Sequence, residues 1–383
     1  MYCIPRLILG EDIMKKMTWL YTILCVSVVC AGCGGSVNTN KKVDEKTESA
    51  ETSIAQEAGS FPEKYEKTSD SGKVTFNCKL EIPENMKAQS IEAVTVEGLY
   101  QYDREKAWTI FGEGKEVIEE QNIPADGGRT QSDYYVFPDE EALSIEAGVS
   151  YGSTNSRYYS NIGATSSDNM AAFEGQGVTF KTGEECLEEV KKTIEELGYH
   201  VEDFDFKFYP LNHQVMKNLE EEYVKEELLL EEKRKETWSQ DDDAYFIYAY
   251  QENEGVPIFH EMMSIARQMA YDTPDNAPIL VIYSTRGIEQ LSISGVYNLK
   301  NTEELLPLKS FEEIGAVVEE KFENVLNDAN YEVTRAKFYE RVSLNEEQRY
   351  IAEPIWYFEV IENDISKSVM LVNANTGKEI FLP

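Results

Sequence analysis

The sequence predicts an α+β protein built from small antiparallel sheets, each packed by a helix. Three observations predict this class. Two capping boxes open amphipathic helices, alternating apolar runs with the period of strands follow them, and glycines stand where turns need positive φ. The chain has 383 residues, of which 42% are hydrophobic and 11% aromatic, so it has enough apolar material for packed cores.

The first folded unit is predicted over residues 73–178 as a β-rich α+β unit. Apolar and polar residues alternate from Val74 to Ile82, which is the period of a half-buried strand. The predicted elements that follow are a strand at 91–96, a helix at 103–120 that Gly112 and Gly114 interrupt, strands at 134–137 and 143–151, and a loop at 152–168.

An internal repeat is predicted in the rest of the chain, with copies at 179–302 and 303–383. Each copy opens on a capping box, at Thr182 and at Ser310, in which a hydroxyl and a carboxylate satisfy two N–H groups of a helix start. Each helix leads to a Lys-Phe-Tyr strand, an aromatic strand and a strand–turn–strand unit. The matching segments are 207–209 and 337–339, 245–250 and 355–360, and 279–282 and 369–372, with turn glycines Gly287 and Gly377.

The first copy is longer than the second by about forty residues between the tripeptide and the turn glycine. The additions fall mainly at 215–238 and 259–277. Insertions in a repeated unit lie on loops and often carry the individual function. The Glu/Lys/Leu-rich segment at 215–238 has the charge pattern of a solvated helix with i,i+4 pairs.

The N-terminus has the pattern of a secretory signal at residues 14–32, with Met14 as the predicted start. Lys15 and Lys16 precede an apolar stretch at 18–31, which is short for a bilayer span. The following Cys-Ala-Gly-Cys string resembles the lipobox of bacterial lipoproteins. The resemblance implies a diacylated, palmitate-type Cys33, hence a lipid anchor on the extracytoplasmic face of the cell membrane; the alternative is an uncleaved anchor with an ordinary cysteine. Residues 33–72 are polar and predicted to be a disordered tether.

The charge of the chain excludes one class of partner. Asp and Glu number 71 against 36 Lys and Arg, for a net charge of −35. Nucleic acids are held through Lys and Arg, and anionic lipid heads repel such a surface, so membrane attachment must be hydrophobic or covalent. Cys78 and Cys186 are open to two interpretations, a disulfide or two buried thiols.

One string matches a nucleophile elbow, with Ser150 at its centre in Gly148–Gly152. An elbow needs a strand before the serine, a helix directly after it and a histidine as base. Residues 153–161 are not predicted to be helical, which disfavours a serine hydrolase. The available bases are His200, His213 and His260.

Other candidate sites also have plainer interpretations. His260 begins a string like that of zinc proteases, but Ser264 stands where the second His belongs, so no zinc site is expected. The aspartates 241–243, with Asp272 and Asp275, lack calcium-loop spacing and favour a solvated turn. The tyrosine pairs 134–135 and 158–159 either stack on sugars or orient their rings to the core. We expect no metal and no cofactor.

The C-terminal segment, Leu371 to Ile380, resembles the last hairpin of the PepSY family, with Asn373 in place of the usual Asp. Segments 254–258 and 353–356 are similar to the PepSY-related regulators YycH and YycI, and the whole chain resembles uncharacterised lipoproteins of Gram-positive gut anaerobes. The resemblance implies tandem PepSY-like repeats and a non-enzymatic protein that binds or regulates another protein, either of the cell envelope or secreted. The alternatives are a solute-binding lipoprotein for a cationic or carbohydrate ligand and, less favoured, a serine hydrolase through Ser150.

Overall fold

The computed structural model describes residues 61–84, 86, 90–126, 130–260 and 273–381. These residues contain seventeen strands and five α-helices. The strands are β1 Lys64–Thr68, β2 Val74–Glu81, β3 Ser90–Leu99, β4 Glu119–Ile123, β5 Ser132–Val136, β6 Ala142–Ile145, β7 Val149–Gly152, β8 Phe204–Leu211, β9 Ala244–Asn253, β10 Val256–His260, β11 Ile279–Ser284, β12 Gly287–Ile293, β13 Tyr297–Pro307, β14 Tyr331–Leu344, β15 Tyr350–Glu362, β16 Ser366–Asn373 and β17 Glu379–Ile380. The helices are α1 Arg104–Phe111, α2 Ser156–Asn161, α3 Gly183–Glu196, α4 His213–Lys225 and α5 Phe311–Glu323. The described residues are mostly sheet, and the predicted α+β class is confirmed. The prediction of separate small antiparallel sheets is wrong, because most strands join one sheet that includes parallel pairs.

One branched sheet holds fifteen of these strands. Its main path runs β17-β16-β15-β14-β10-β9-β11-β12-β7-β6-β5-β4. Off this path, β2 pairs with β14 and carries β1, while β8 pairs with β9. Strands β3 and β13 form a separate two-stranded ribbon. The three predicted folding units therefore share one sheet in the described residues, and their division into separate units stays a prediction.

The two C-terminal segments have the same layout, a helix followed by a four-stranded antiparallel meander. The first meander is β8-β9-β11-β12, and the second is β14-β15-β16-β17. Beneath α3, Phe208 pairs with Ile247, which pairs with Val281. Beneath α5, the corresponding ladder is Phe338, Trp356 and Val372.

The connections that close the two meanders differ in length, because Val281 pairs with Leu291, ten residues ahead, and Val372 pairs with Glu379, seven residues ahead. Val281 and Val372 occupy the same ladder position, yet Gly287 follows six residues later and Gly377 five residues later. A separate irregularity follows in β12, where the register with β11 shifts between Ile282 and Tyr283 and leaves Glu289 as the bulged residue. Both glycines have positive φ, +99° and +71°, as the turn prediction requires.

Strand β10 connects the two meanders. It forms a hairpin with β9 through Glu254 and Gly255, whose φ values of 50° and 82° are those of a tight two-residue turn. Its second half pairs in parallel with β14, from Ile258 opposite Glu340. Strand β10 thus joins the two meanders into one continuous sheet within the described residues.

Each half of the sheet has its own core. Helices α1 and α3 pack on one face of the first half, through residues such as Phe111, Val190 and Ile194. Helices α2 and α4 pack on the opposite face. Helix α5 covers the second half through Ile314 and Val318.

Three sequence predictions need correction. The helix predicted at 103–120 ends at Phe111, and residues 119–123 form β4 instead. Gly112 ends the helix where a Cβ would lie 2.5 Å from the Trp108 ring. The strand predicted at 143–151 is two strands, because Gly148 turns the chain where a Cβ would lie 1.9 Å from the Ile293 carbonyl oxygen. The loop predicted at 152–168 contains α2, and the buried Tyr159 of this helix packs into the core.

Order also begins earlier than predicted. Strand β1 and the buried Phe61 lie inside the segment predicted as a tether. The apolar signal is sparse there because β1 pairs beside β2 and contributes mainly Tyr65 to the core, whose ring packs edge-on against Phe76 and Phe311. The predicted signal at 14–32, Cys33 and the tether up to residue 60 lie outside the described residues. Within the described ranges, no helix is both long enough and apolar enough to cross a bilayer.

Candidate functional site

The structure does not assemble a hydrolase site around Ser150 in the described residues. Ser150 lies inside β7, between partners Ser144 and Ser292, rather than at a turn from strand to helix. A helix does follow, α2, so the prediction of no helix at 153–161 is wrong, but it starts six residues after the serine. Neither described histidine side chain contacts Ser150: His200 pairs with Glu202, 3.9 Å away, and the His213 ring bonds elsewhere. The His260 side chain lies outside the described residues.

His213 and Asp243 form a partly buried pair at the start of α4. One Asp243 oxygen accepts a hydrogen bond from the His213 backbone N–H and lies 2.8 Å from ring Nδ1. The adjacent Asp242 is paired with Lys235 at 3.4 Å and Arg286 at 3.3 Å. Asp242 and Asp243 are buried and not solvated as predicted, because cations and helix N–H groups satisfy them, whereas Asp241 is exposed. Asp272 and the Asp275 side chain are outside the described residues.

Arg286 is the centre of a buried network that holds the β11–β12 turn. Its Nε donates to Glu289 at 2.6 Å, and the Ser284 hydroxyl donates to the same carboxylate at 2.7 Å. Another Arg286 nitrogen donates to the backbone carbonyl of Asp241 at 2.7 Å. In the described part of the chain, no group of three or more His, Cys, Asp or Glu side chains is placed to hold a metal ion.

The tyrosine pairs and the cysteines have internal roles. Tyr159 is buried and donates to the Asp242 carbonyl at 3.0 Å, while the Tyr135 ring lies 4.5 Å from that of Trp108. Cys78 and Cys186 are free thiols in two separate cores, so of the two interpretations the disulfide is wrong. Burial raises the thiol pKa of each to about 11.

A crevice of about 380 Å³ lies where β10 joins the two meanders. The lysines of the two repeated tripeptides, Lys207 and Lys337, line it from opposite meanders. Each ammonium lies over a tyrosine ring, Lys207 at 5.6 Å from Tyr250 and Lys337 at 4.7 Å from Tyr339. Burial raises the pKa of the Glu252 carboxyl in the same crevice.

A larger groove, of about 660 Å³, lies between α1 and α3 on the face of the first meander, and we call it the α1–α3 groove. Strands β7, β12 and β11 form its floor, and the two helices form its walls. It is lined by Ile110, Phe111, Lys115, Tyr151, Glu189, Lys192, Thr193, Glu196, Tyr283 and Ile288. Sequence reasoning missed it because it arises from the spacing of two helices far apart in the chain.

Two Lys–Glu–Tyr groups lie on opposite sides of this groove. On one side, the Tyr151 hydroxyl donates to Glu141 at 2.5 Å, and Lys115 pairs with the same carboxylate. The corresponding group on the other side consists of Tyr283, Glu189 and Lys181. Burial, reinforced by the carboxylate, raises the pKa of both phenols, so they stay protonated as donors.

Strand β4 is the edge of the sheet at one end of its main path. It pairs with β5 on one side and with no other strand of the described residues. Its sequence is Glu-Glu-Gln-Asn-Ile, and its first four side chains are exposed. At the other end of the path, β17 has only two residues.

Comparison with solved structures supports the fold. No family model and no curated protein matches the chain. An uncharacterised protein from Eubacterium rectale has a similar structure, with a TM-score of 0.56 and 14% identity over 84% of this chain and 94% of that one. The YpeB C-terminal domain of Bacillus megaterium matches with 10% identity over 72% of this chain and 92% of that one. Its TM-score of 0.28 is too low to show a shared fold.

Proposed function

We propose that the chain is a lipid-anchored, extracytoplasmic protein that binds or regulates another cell-envelope protein without catalysing a reaction. The observation that carries the proposal is the open, exposed edge of β4. An extended segment of a partner adds to such an edge through main-chain hydrogen bonds, and side chains set its specificity.

The composition of β4 suggests the partner's charge. Glu119 and Glu120 stand side by side on the edge, and like charges on an edge strand discourage the edges of two copies from pairing. A partner strand with Lys or Arg would neutralise them across the new ladder. The partner segment in this proposal is therefore basic and extended.

The second part of the proposal is that the two meanders are PepSY-like repeats. Asn373, which stands where the PepSY pattern has Asp, can make the same hydrogen bonds in the hairpin turn. Its side-chain oxygen accepts N–H bonds from Asn375 at 3.1 Å and Thr376 at 2.7 Å, as an aspartate would. Its amide donates to Glu353 at 2.6 Å, a bond that a carboxylate could not give.

Photo-crosslinking in the intact cell tests the edge. A photoreactive amino acid at Gln121 of the full chain is expected to capture a specific envelope protein. The same amino acid at Ile365, which is 89% exposed in a turn away from β4, is the control and is expected not to capture it. Equal capture from both positions would contradict pairing at β4.

Charge reversal tests the polarity of the partner. Glu119→Lys with Glu120→Lys is expected to reduce capture at least fivefold, because it places cations opposite a basic strand. The matched control is Glu303→Lys with Glu304→Lys, another exposed acidic pair on a strand, in β13. If both double variants reduce capture equally, the cause is a general charge effect and not recognition at β4.

A second candidate function is solute binding, and the α1–α3 groove favours it. Its volume of about 660 Å³ lies within the range of about 300–1,000 Å³ that small-ligand sites occupy. A thermal shift of the full chain with a ligand, lost when Thr193 in the groove wall is replaced by tryptophan, would support it. A ligand shift that persists in Thr193→Trp would place binding elsewhere.

A further inference from the structure

The α1–α3 groove exists because two helices cover neighbouring parts of the sheet and leave a strip between them. Helix α1 packs mainly on β6, and α3 packs on β8, β9 and β11. Between the two helices, Ile288 near the start of β12 is only half-buried, whereas Leu291 and Ile293 farther along the same strand are buried. The result is a trough with a sheet floor and two helical walls.

The floor consists of an isoleucine and two tyrosine rings, and another side chain lies over at least one face of each ring. The Tyr151 ring stacks on Phe111, with centroids 4.6 Å apart and planes 23° apart, and Lys115 lies 4.8 Å from its centroid. Lys181 likewise lies 5.4 Å from the centroid of the Tyr283 ring. Sugars are held by stacking on open ring faces, whereas ring edges and Ile288 suit an aliphatic side chain.

The charges along the groove are balanced in a chain that is strongly acidic overall. Acidic residues outnumber basic ones 71 to 36 in the sequence, yet the groove lining has two lysines, Lys115 and Lys192, and two glutamates, Glu189 and Glu196. Such a lining gives no net attraction to a polycation or a polyanion. It matches a ligand that carries one charge of each sign.

Two of these charges have no ion-pair partner among the described residues. Lys192 and Glu196 lie one turn apart on the exposed wall of α3. Neither side chain is in a salt bridge with another described residue. Lys115 and Glu189 are already neutralised by Glu141 and Lys181. The wall thus presents one ammonium and one carboxylate that are available to a ligand.

We propose that the α1–α3 groove binds a short zwitterionic peptide. Its carboxylate pairs with Lys192, its ammonium pairs with Glu196, and an aliphatic side chain packs on Ile288 and Phe111. Lys192 and Glu196 are four residues apart, about 6 Å along the helix at 1.5 Å per residue, which is close to the two residue steps between the ends of an extended tripeptide. The inference deepens the solute-binding candidate and is independent of the β4 edge.

Calorimetric titration of the detergent-solubilised full chain tests the ligand class. The probe is the tripeptide Ala-Leu-Ala with free termini, which is expected to bind saturably. The same tripeptide with an acetylated N-terminus and an amidated C-terminus is expected to bind at least tenfold more weakly. Maltotriose and spermidine are expected not to bind. Equal binding of free and blocked tripeptides, no saturable binding of either, or tight binding of maltotriose or spermidine would overturn the proposal.

Charge variants on α3 test the place of binding. Lys192→Glu and Glu196→Lys are each expected to weaken binding of the free tripeptide at least tenfold. Glu195→Lys, an identical charge change at the neighbouring exposed residue outside the groove, is the matched control and is expected to leave binding within twofold. All these sites are on a helix surface, so the fold is expected to survive. Binding unchanged in Lys192→Glu and Glu196→Lys, or lost equally in Glu195→Lys, would refute the groove while leaving the β4 proposal untouched.

Discussion

Glu340 places a carboxyl group inside the sheet where β10 joins β14. It is 2% exposed, and its ladder neighbours are Ile258 on one side and Pro354 on the other. Burial is the main cause that raises its pKa from 4.5 to about 8, and the nearby Glu353 adds to the shift. At neutral pH the folded protein therefore holds a proton that the unfolded chain releases.

The sign and the size of the effect follow from this difference. Between pH 4.5 and about 8 the folded state binds the proton and the unfolded state does not, so stability falls as pH rises through this window. Each pH unit in this window lowers the free energy of unfolding by about 1.4 kcal/mol. Relative to pH 4.5, the loss is about 3 kcal/mol at pH 7 and about 5 kcal/mol above pH 8. Glu340→Gln removes the titration and keeps the shape of the protonated acid. The variant is expected to match the wild type near pH 4.5 and to be more stable by those amounts at higher pH.

Urea unfolding of the two proteins at several pH values between 4.5 and 8.5 checks this expectation. The control is Glu346→Gln, because Glu346 is an exposed glutamate in the turn that follows the same strand. That variant is expected to follow the wild-type curve within about 0.5 kcal/mol, as surface substitutions usually do. Parallel pH curves for Glu340→Gln and the wild type would refute the reasoning.

Two further predictions concern packing and charge. Arg286→Met leaves the buried Glu289 without its cation and is expected to lower the free energy of unfolding by about 3 kcal/mol; a loss below 1 kcal/mol in urea unfolding would show that the network rearranges. Gly183→Ala places a Cβ 1.9 Å from the Phe208 ring and is expected to cost about 1–3 kcal/mol by the same measurement. Gly177→Ala, where the Cβ meets nothing within 4 Å, is the control, and equal losses in both alanine variants would contradict the packing argument.

The sequence is informative where the signal is local. Both capping boxes form as predicted at Thr182 and Ser310, because a cap depends only on residues three apart. The strands that contain the two Lys-Phe-Tyr tripeptides also form, since strand period can be recognised over a few residues. The positive φ at Gly287 and Gly377 follows from the turn itself.

Features that depend on distant partners could not be predicted. Asp242 is buried because Arg286, over forty residues away in sequence, reaches it, and no spacing rule gives that pairing. The sequence pattern predicts that the end of β10 belongs to the insertion at 259–277. Its pairing could not be predicted, because its parallel partner β14 lies some eighty residues ahead in the sequence. The α1–α3 groove is a gap between helices, and a gap has no residue pattern of its own.

The parallel pairing of β2 with β14 has a consequence for how the protein is made. Val74 lies opposite Tyr331, so about 250 residues separate the two members of this ladder. Synthesis is vectorial and contacts of such separation close slowly, so β2 waits for most of the chain before it has its partner. During that interval Phe76 and Leu80, which end up buried, face solvent. Newly made chains therefore need protection at their leading end, and a chain truncated before residue 331 is expected to aggregate.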